Sequence, residues 1–593
     1  MPLDRYPPKA HILLFVLLGI LLYWYTLPYP FVFDSRVYII KNPLITDFDS
    51  FIKLFDIPDL ADDYIELKIH RDVVVTFILR PFANFTFFLN YLSDSFDPEG
   101  YRAVNVAIHI VNAILWYTIM CRVIASREAG RSGGASFIPF FSSLLFLVHP
   151  LATESVTYII QRYASLGAML YLVTMLLFLL SLDAAGTTGR RLAYSGSVIA
   201  LFVGMMTKEN LMTAPFVLIL MATGLRGLPL RDALRKVLPH LCCLPALPYV
   251  VYLISAVHLE GQQSLLGMHR VVDGYRPYEY VITEARAVLT YLRMIIAPYG
   301  QSIDPAYPLY RSILHPEIVI SLLLILLFLV TGVTLLTRKK ETAGNALLGF
   351  CILFSMISLS ISSLFPLPDL MAEHRSYLFS LPVITGLVCR IDMIRSRLPN
   401  VWGTRIVVAL CLLAGMYAVV TVRRNLVYSS RTSIWEDAVV KSPNKWRPNY
   451  NAGWAAVNEH HYEKARYYFT RSIEINPYEI RGYANLGSTQ MLLGDYGAAI
   501  AAYRRGLMIM ADEPVLLENL GKAYSEAGQH SAAVEAFEQA VSLRPVGFGS
   551  YGALAELYAI MGNIDTSCQV IQKARDVHSP DASLDSLEKE LCR

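Results

Sequence analysis

Apolar and polar positions along the first 425 residues alternate in long blocks rather than in short periods. A helix that spans a bilayer needs about 20 predominantly apolar residues. Such stretches lie near 11–28, 102–121, 137–150, 160–182, 192–207, 209–225, 237–257, 315–336, 346–364, 376–390 and 403–421, which predicts eleven spans. Residues 71–92 are also apolar, but Arg71, Arg80-Pro81, Asn84 and Asn90 cut the run. One or two amphipathic helices lying in the interface suit that segment better than a twelfth span.

From about residue 446 the pattern changes to a repeat of 34 residues. Ala465, Ala499, Ala533 and Ser567 recur at that spacing, as do Phe469, Tyr503, Phe537 and Ile571, and Gly453, Gly487, Gly521 and Ala555. Small residues at helix crossings with an aromatic on the second helix mark tetratricopeptide (TPR) repeats. Four of them cover 446–581, after a linker at 426–445 and before a short tail at 582–593. The predicted fold class is all-α: a polytopic membrane helix bundle over 1–425, then a TPR solenoid with a concave binding face.

Composition agrees with a membrane protein. Of 593 residues, 54% are hydrophobic and only 17% charged, and mean hydropathy is +0.42. Charge then orients the spans. With a cytoplasmic N-terminus, the inside loops carry Arg5/Lys9, Arg122/Arg127/Arg131, Arg190/Arg191, Arg226/Arg231/Arg235/Lys236, Arg338/Lys339/Lys340 and Arg390/Arg395/Arg397/Arg405. Basic inside loops are what the positive-inside rule requires. The first outside loop, 29–101, is acidic in its first half, and eleven spans place the tail outside, with Arg423 and Arg424 as a small exception. Nucleic acid is not an expected partner, because the basic residues are dispersed in short loops. The first apolar run lacks a small-residue cleavage site after Arg5 and Lys9, so a retained span is expected. No CxxC occurs among the eight cysteines, and Cys568 and Cys592 can pair only in an oxidising compartment.

The candidate chemistry lies in ionisable residues at the outer turns: Asp34; His149, Glu154 and Arg162; Lys208-Glu209; Tyr291 and Arg293; and Glu373-His374-Arg375. Ionisable groups at membrane depth are costly, and five groups on one face point to a site. A carboxylate at an apolar interface can act as general base. Arginines there can hold a lipid-linked phosphate. That pairing suits group transfer from a phosphorylated lipid carrier to a hydroxyl. No P-loop, GxSxG or HExxH occurs, and charges gathered at one surface do not suit a transporter with a site midway through the bilayer.

In order along the chain, FDSRVYIIKNPLI, RPFANFTFFLNYL, YRAVNVAIHIVNAILWY, HPLATESVTYIIQR, KEN, YLRMIIAPYGQSIDPAYP and SSLFPLPDLMAEHRSYL lead into IWEDAVVKSPNKWRPNYNAG. This succession resembles the GT-C glycosyltransferases of the transmembrane-and-TPR-containing O-mannosyltransferase type. The resemblance implies a polyprenyl-phosphate-linked sugar as donor, a lumenal or periplasmic active face, and Asp34 as the base that activates the acceptor. It implies Arg375 and His374 beside the donor phosphate, with Arg293 and Arg162 as further candidates. The family often has two adjacent acids after the first span, whereas here Ser35 follows Asp34. Glu154 is then the candidate second carboxylate, Lys208, Glu209 and Glu373 are further site candidates, and a divalent metal remains open.

The leading expectation is transfer of a mannose-like sugar to Ser or Thr of a protein. The alternatives are a lipid or polysaccharide acceptor, and a membrane scaffold without chemistry. Asn451, Asn485 and Asn519 hold one place in the 34-residue frame, and Ala553 breaks the series. Side-chain amides both donate and accept, so such a row can hold an acceptor backbone without reading its sequence. It resembles the asparagine ladder of TPR-bearing O-linked N-acetylglucosamine transferases. Short cytoplasmic loops suit a bacterial inner membrane with a periplasmic tail, the alternative being the endoplasmic reticulum with a lumenal one.

Overall fold

A computed structural model of the chain describes residues 8–55, 71–125, 136–256, 275–338, 343–543, 548–577 and 582–592. Asp56, Asp59, Asp62, Asp63 and Glu66 of the acidic loop, and the loop cations Arg5, Arg127, Arg131, Lys339 and Lys340, lie outside the described residues. The chain divides into two compact units, Met1–Ser430 and Arg431–Arg593.

Among the described residues of the first unit, seven helices are long and apolar enough to cross a membrane: Pro8–Thr26, Pro98–Ala125, Ile159–Asp183, Pro316–Thr337, Gly344–Leu364, Glu373–Arg395 and Asn400–Leu426. The stretches expected at 137–150, 192–207, 209–225 and 237–257 do not reach that standard. Phe137–Leu147 has 11 residues, all buried, which is about 16 Å of helix. Thr187–Met205 opens on Thr187, Thr188, Arg190 and Arg191. Glu209–Leu225 is short, and Leu230–Cys242 and Ala246–Ala256 are separated by a break at 243–245.

Contacts nevertheless show one of these shorter helices, Phe137–Leu147, working as a return leg. At one end of the unit Arg102 donates to Thr157 O (3.0 Å) and Arg162 donates to Tyr101 O (2.8 Å). At the other end Asp183 pairs with Arg226 (3.1 Å) and Arg122 (3.7 Å). The helices starting near 98 and 159 therefore begin at the same end, and the chain must come back between them. Phe137–Leu147 makes that return, with the Arg395 guanidinium 4.3 Å from the Phe137 ring at its start and His109 bonded to Leu147 O (3.1 Å) at its finish. Buried on every side, it needs no apolar length to satisfy lipid.

The 71–92 segment forms two helices, with Asp72–Leu79 and Pro81–Asp94 meeting at 102°. Pro81 cannot donate a backbone bond and forces Arg80 out of helical geometry (φ −130°, ψ 48°). That bend puts Arg80 at the corner, where it matters below.

In the second unit four helix pairs follow the 34-residue frame: Trp446–Asn458 with Tyr462–Ile475, Ile480–Leu492 with Tyr496–Leu507, Pro514–Glu526 with His530–Leu543, and Phe548–Ile560 with Ile564–Val577. The recurrent glycines are sites of close approach. A Cβ on Gly487 would stand 2.5 Å from the Tyr503 ring, on Gly453 2.9 Å from Phe469, and on Gly521 2.8 Å from Phe537. In the fourth repeat the smaller Ile571 leaves room for Ala555. Part of the expected linker is structured: Arg431–Lys441 is a helix whose Glu436 accepts from Tyr468 (3.3 Å). At the far end Ala582–Leu591 is a helix held by a Cys568–Cys592 disulfide.

Candidate active site

A cavity of about 250 Å³ opens in the first unit, lined by Asp34 and Tyr38, Thr76 and Arg80, Lys208 to Asn210, Asp369, and His374-Arg375. Segments far apart in sequence meet there. Asp34, Lys208, Glu209, His374 and Arg375 are the expected residues it unites. Among the described residues no three His, Cys, Asp or Glu side chains group as a metal site.

Each wall is positioned by its own local device. Phe33 takes a left-handed conformation (φ +46°), a strained state that persists only where surroundings enforce it. The backbone N–H of Asp34 donates to Tyr158 OH (3.0 Å), and the buried Ser35 hydroxyl accepts from Ile160 N–H (3.3 Å). A π-helical turn, Arg36–Ile40, follows, the kind of insertion often met at functional sites. Arg80 pairs with Glu209 (3.2 Å) and lies 4.8 Å from the Tyr163 ring.

Arg375 is the most firmly held cation of the cavity wall. One terminal nitrogen donates to Tyr280 OH (3.2 Å) and Glu284 Oε1 (3.1 Å), and the other to Asp369 O (2.6 Å). Glu284 is 1% exposed, and burial lifts its carboxyl to about 7 against the opposing pull of Arg375. His374 Nδ1 lies 2.7 Å from Glu154 Oε1. Glu154 is itself pushed up to about 7 by burial, with Arg424 opposing.

Lys208 differs from the other cations. It is 8% exposed and lines the cavity, yet no carboxylate lies within ion-pairing distance among the described residues. Burial draws its ammonium down to about 8, against the raising influence of Glu209. A nearly buried cation facing a void is a natural seat for an anion.

Other expected residues sit elsewhere. Arg162 is wholly buried and bonded to Asn105 Oδ1 (2.7 Å), Thr86 O (3.1 Å) and Tyr101 O (2.8 Å), so it ties the Pro81–Asp94 and Pro98–Ala125 helices together and does not line the cavity. Arg293 lies over the Tyr299 ring (4.1 Å) and donates to Tyr299 O (2.9 Å). Glu373 accepts from Gln301 (3.0 Å) and the Ser302 N–H (2.5 Å), with Arg424 at 3.8 Å. His149 bonds Ile295 O (2.9 Å), Tyr291 bonds Ala372 O (3.1 Å), and Glu154 stands behind His374. Arg80, Asp369, Tyr280 and Glu284 were not foreseen. An arginine interrupting an apolar run at a proline was the signal for Arg80. In the repeat unit Asn451, Asn485 and Asn519 are half-buried on the first helices, and Asn485 already donates to Tyr450 OH (2.9 Å).

Comparison with known proteins adds the rest. The tetratricopeptide repeat family model matches residues 480–511 and 516–546. The mouse protein O-mannosyl-transferase TMTC3 is 22% identical over 95% of this chain and 63% of its own length. Drosophila Tmtc3 is 24% identical over 72% of this chain and 51% of its own, and human TMTC1 24% over 69% and 49%. The chain thus resembles these O-mannosyl-transferases along most of its length, while spanning less than two thirds of theirs. Among solved structures, MamA is 21% identical over 24% of this chain and 85% of its own, with a TM-score of 0.24.

Proposed function

We propose that the chain is an inverting membrane glycosyltransferase of GT-C type, moving mannose from a polyprenyl phosphate to a Ser or Thr hydroxyl of protein. The names of its relatives support mannosyl transfer to protein. The observation that carries the chemistry is one cavity presenting the Asp34 carboxylate together with Arg375, Arg80, His374 and Lys208.

In this reading Asp34 takes the acceptor hydroxyl's proton as its oxygen attacks the anomeric carbon from the face opposite the phosphate. The bond from that carbon to the phosphate oxygen breaks, and polyprenyl phosphate leaves with one more negative charge. Arg375 and Lys208 stabilise that charge where it develops. The Glu284, Tyr280 and Asp369 contacts keep Arg375 from having to reorganise. The same reading puts the cavity at the extracytoplasmic face. The disulfide in the repeat unit supports an oxidising compartment for the tail, and animal relatives favour the lumen of the endoplasmic reticulum over the periplasm. The repeat unit would hold the acceptor polypeptide, with Asn451 and Asn519 as the amides left for it.

Purified full-length protein assayed against a panel of polyprenyl-phosphate sugars and Ser/Thr peptides tests the proposal. Mannose transfer is expected, with Arg375→Ala weakening donor use more than Arg375→Lys, since only a guanidinium forks onto two phosphate oxygens. Transfer to lipid or polysaccharide alone would replace the acceptor, and no turnover with any donor would remove the enzyme reading.

A further inference from the structure

Glu154 does not line the cavity, yet it touches a residue that does. His374 faces the cavity, and its Nδ1 is engaged by Glu154 Oε1 from behind, at 2.7 Å. Its other ring nitrogen makes no hydrogen bond to the described residues. Glu154 comes from the short helix Ala152–Val156, is 3% exposed, and leaves its Oε2 buried without a hydrogen-bond partner. This is a carboxylate dedicated to one histidine.

An ionised carboxylate only accepts hydrogen bonds, so beside a neutral imidazole it fixes the proton on Nδ1 and turns a bare Nε2 toward the cavity. Add one proton to the pair and the outcome reverses. Whether that proton rests on Glu154, which then donates to Nδ1, or on the imidazole, Nε2 carries a hydrogen toward the cavity. The bare form repels a phosphate oxygen and the protonated form donates to it.

We propose that Glu154 and His374 form a single proton-holding pair, in which Glu154 is the positioning residue that decides whether His374 offers an N–H to the departing phosphate. The inference rests on the transfer reaction proposed above. In the reaction the Nε2–H donates to the phosphate oxygen that gains charge as the sugar bond breaks, and no net proton need move. The pair does not titrate alone. Arg80, Lys208 and Arg375 face the ring from the cavity side, with Asp369 and Glu209 as the nearby acids. Behind it, Glu154 also meets the charges of Arg424 and Glu373. The Tyr158 and Tyr291 phenols stand close enough to feel that charge.

The test is the pH dependence of transfer from farnesyl-phosphate mannose to a Ser/Thr peptide by the full chain. The parent should lose activity on an alkaline limb as the pair loses its proton. Glu154→Gln, whose amide can donate to Nδ1 and holds no titrating proton, should stay active and lose that limb, because the neutral imidazole then keeps its hydrogen on Nε2. Glu154→Leu should lose roughly tenfold or more. Were Lys208 setting the limb instead, removing the Glu154 charge would move it downward, because that charge helps keep Lys208 protonated. A limb that persists unchanged or moves downward, or a Glu154→Gln variant as poor as Glu154→Leu, overturns the proposal. Should Glu154→Gln fail to fold, His374→Gln, which has no titrating ring, must abolish the same limb, and a limb that persists overturns the pair. Transfer that survives Asp34→Asn would bring down the reaction itself, and the pair with it. If Asp34→Asn is dead while the Glu154→Gln profile matches the parent, only the pair falls.

Discussion

The two units place their charges in opposite ways. In the membrane unit two ion pairs join residues distant in sequence and are nearly sealed from solvent: Arg375–Glu284 at 6% and 1% side-chain exposure, Arg424–Glu373 at 4% and 1%. In the repeat unit the pairs lie on open faces, and several join neighbours one helical turn apart, as in Lys522–Glu518, Arg466–Glu463 and Arg471–Glu474. Exposed pairs of the second kind contribute little. Buried pairs of the first kind are seldom a route to stability, because desolvation offsets most of the attraction. Their presence around a cavity speaks for chemistry, whereas the repeat unit owes its form to packing.

The largest expected effect that sharpens this contrast is Glu284→Leu. It would leave Arg375 buried without its carboxylate, at a cost of about 3–5 kcal/mol, visible as a lower unfolding temperature in detergent and as lost donor use. Little change would mean that water or lipid already screens the pair. Gly487→Ala comes next, at about 1–3 kcal/mol of overpacking, because its Cβ would meet the Tyr503 ring at 2.5 Å. Unfolding of the repeat transition should report it, with transfer chemistry at the cavity unaltered. Lys522→Ala should shift stability least, by about 0.5 kcal/mol or less. A loss comparable to that from Glu284→Leu would erase the distinction between the units.

How much was legible follows the same division. The repeats could be read from spacing, since Gly453, Gly487 and Gly521 recur opposite Phe469, Tyr503 and Phe537 and the folded chain packs them together. In the membrane unit an ionisable residue at an apolar turn was enough to single out Asp34, Lys208, Glu209, His374 and Arg375. It could not tell a ligand-facing cation from a strut. Arg162 and Arg375 look alike along the chain, but one spends its donors on Asn105, Thr86 and Tyr101 and the other faces a void. Glu284 escaped notice because EARAV reads as the polar face of an ordinary amphipathic helix. Its significance comes from the arginine it meets, 91 residues away. Composition alone did not show that Phe137–Leu147 returns while buried in protein, or that Leu230–Cys242 stops at a turn.

The most direct test of the whole account is Asp34→Asn in purified full-length protein, with farnesyl-phosphate mannose binding and single-turnover transfer measured side by side. The amide keeps the shape of the carboxylate and cannot take a proton. Binding should stay near that of the parent while transfer falls by roughly 10²–10⁴-fold. Transfer within a few-fold of the parent, with binding unchanged, would contradict the assignment of Asp34 as base and the reaction built on it.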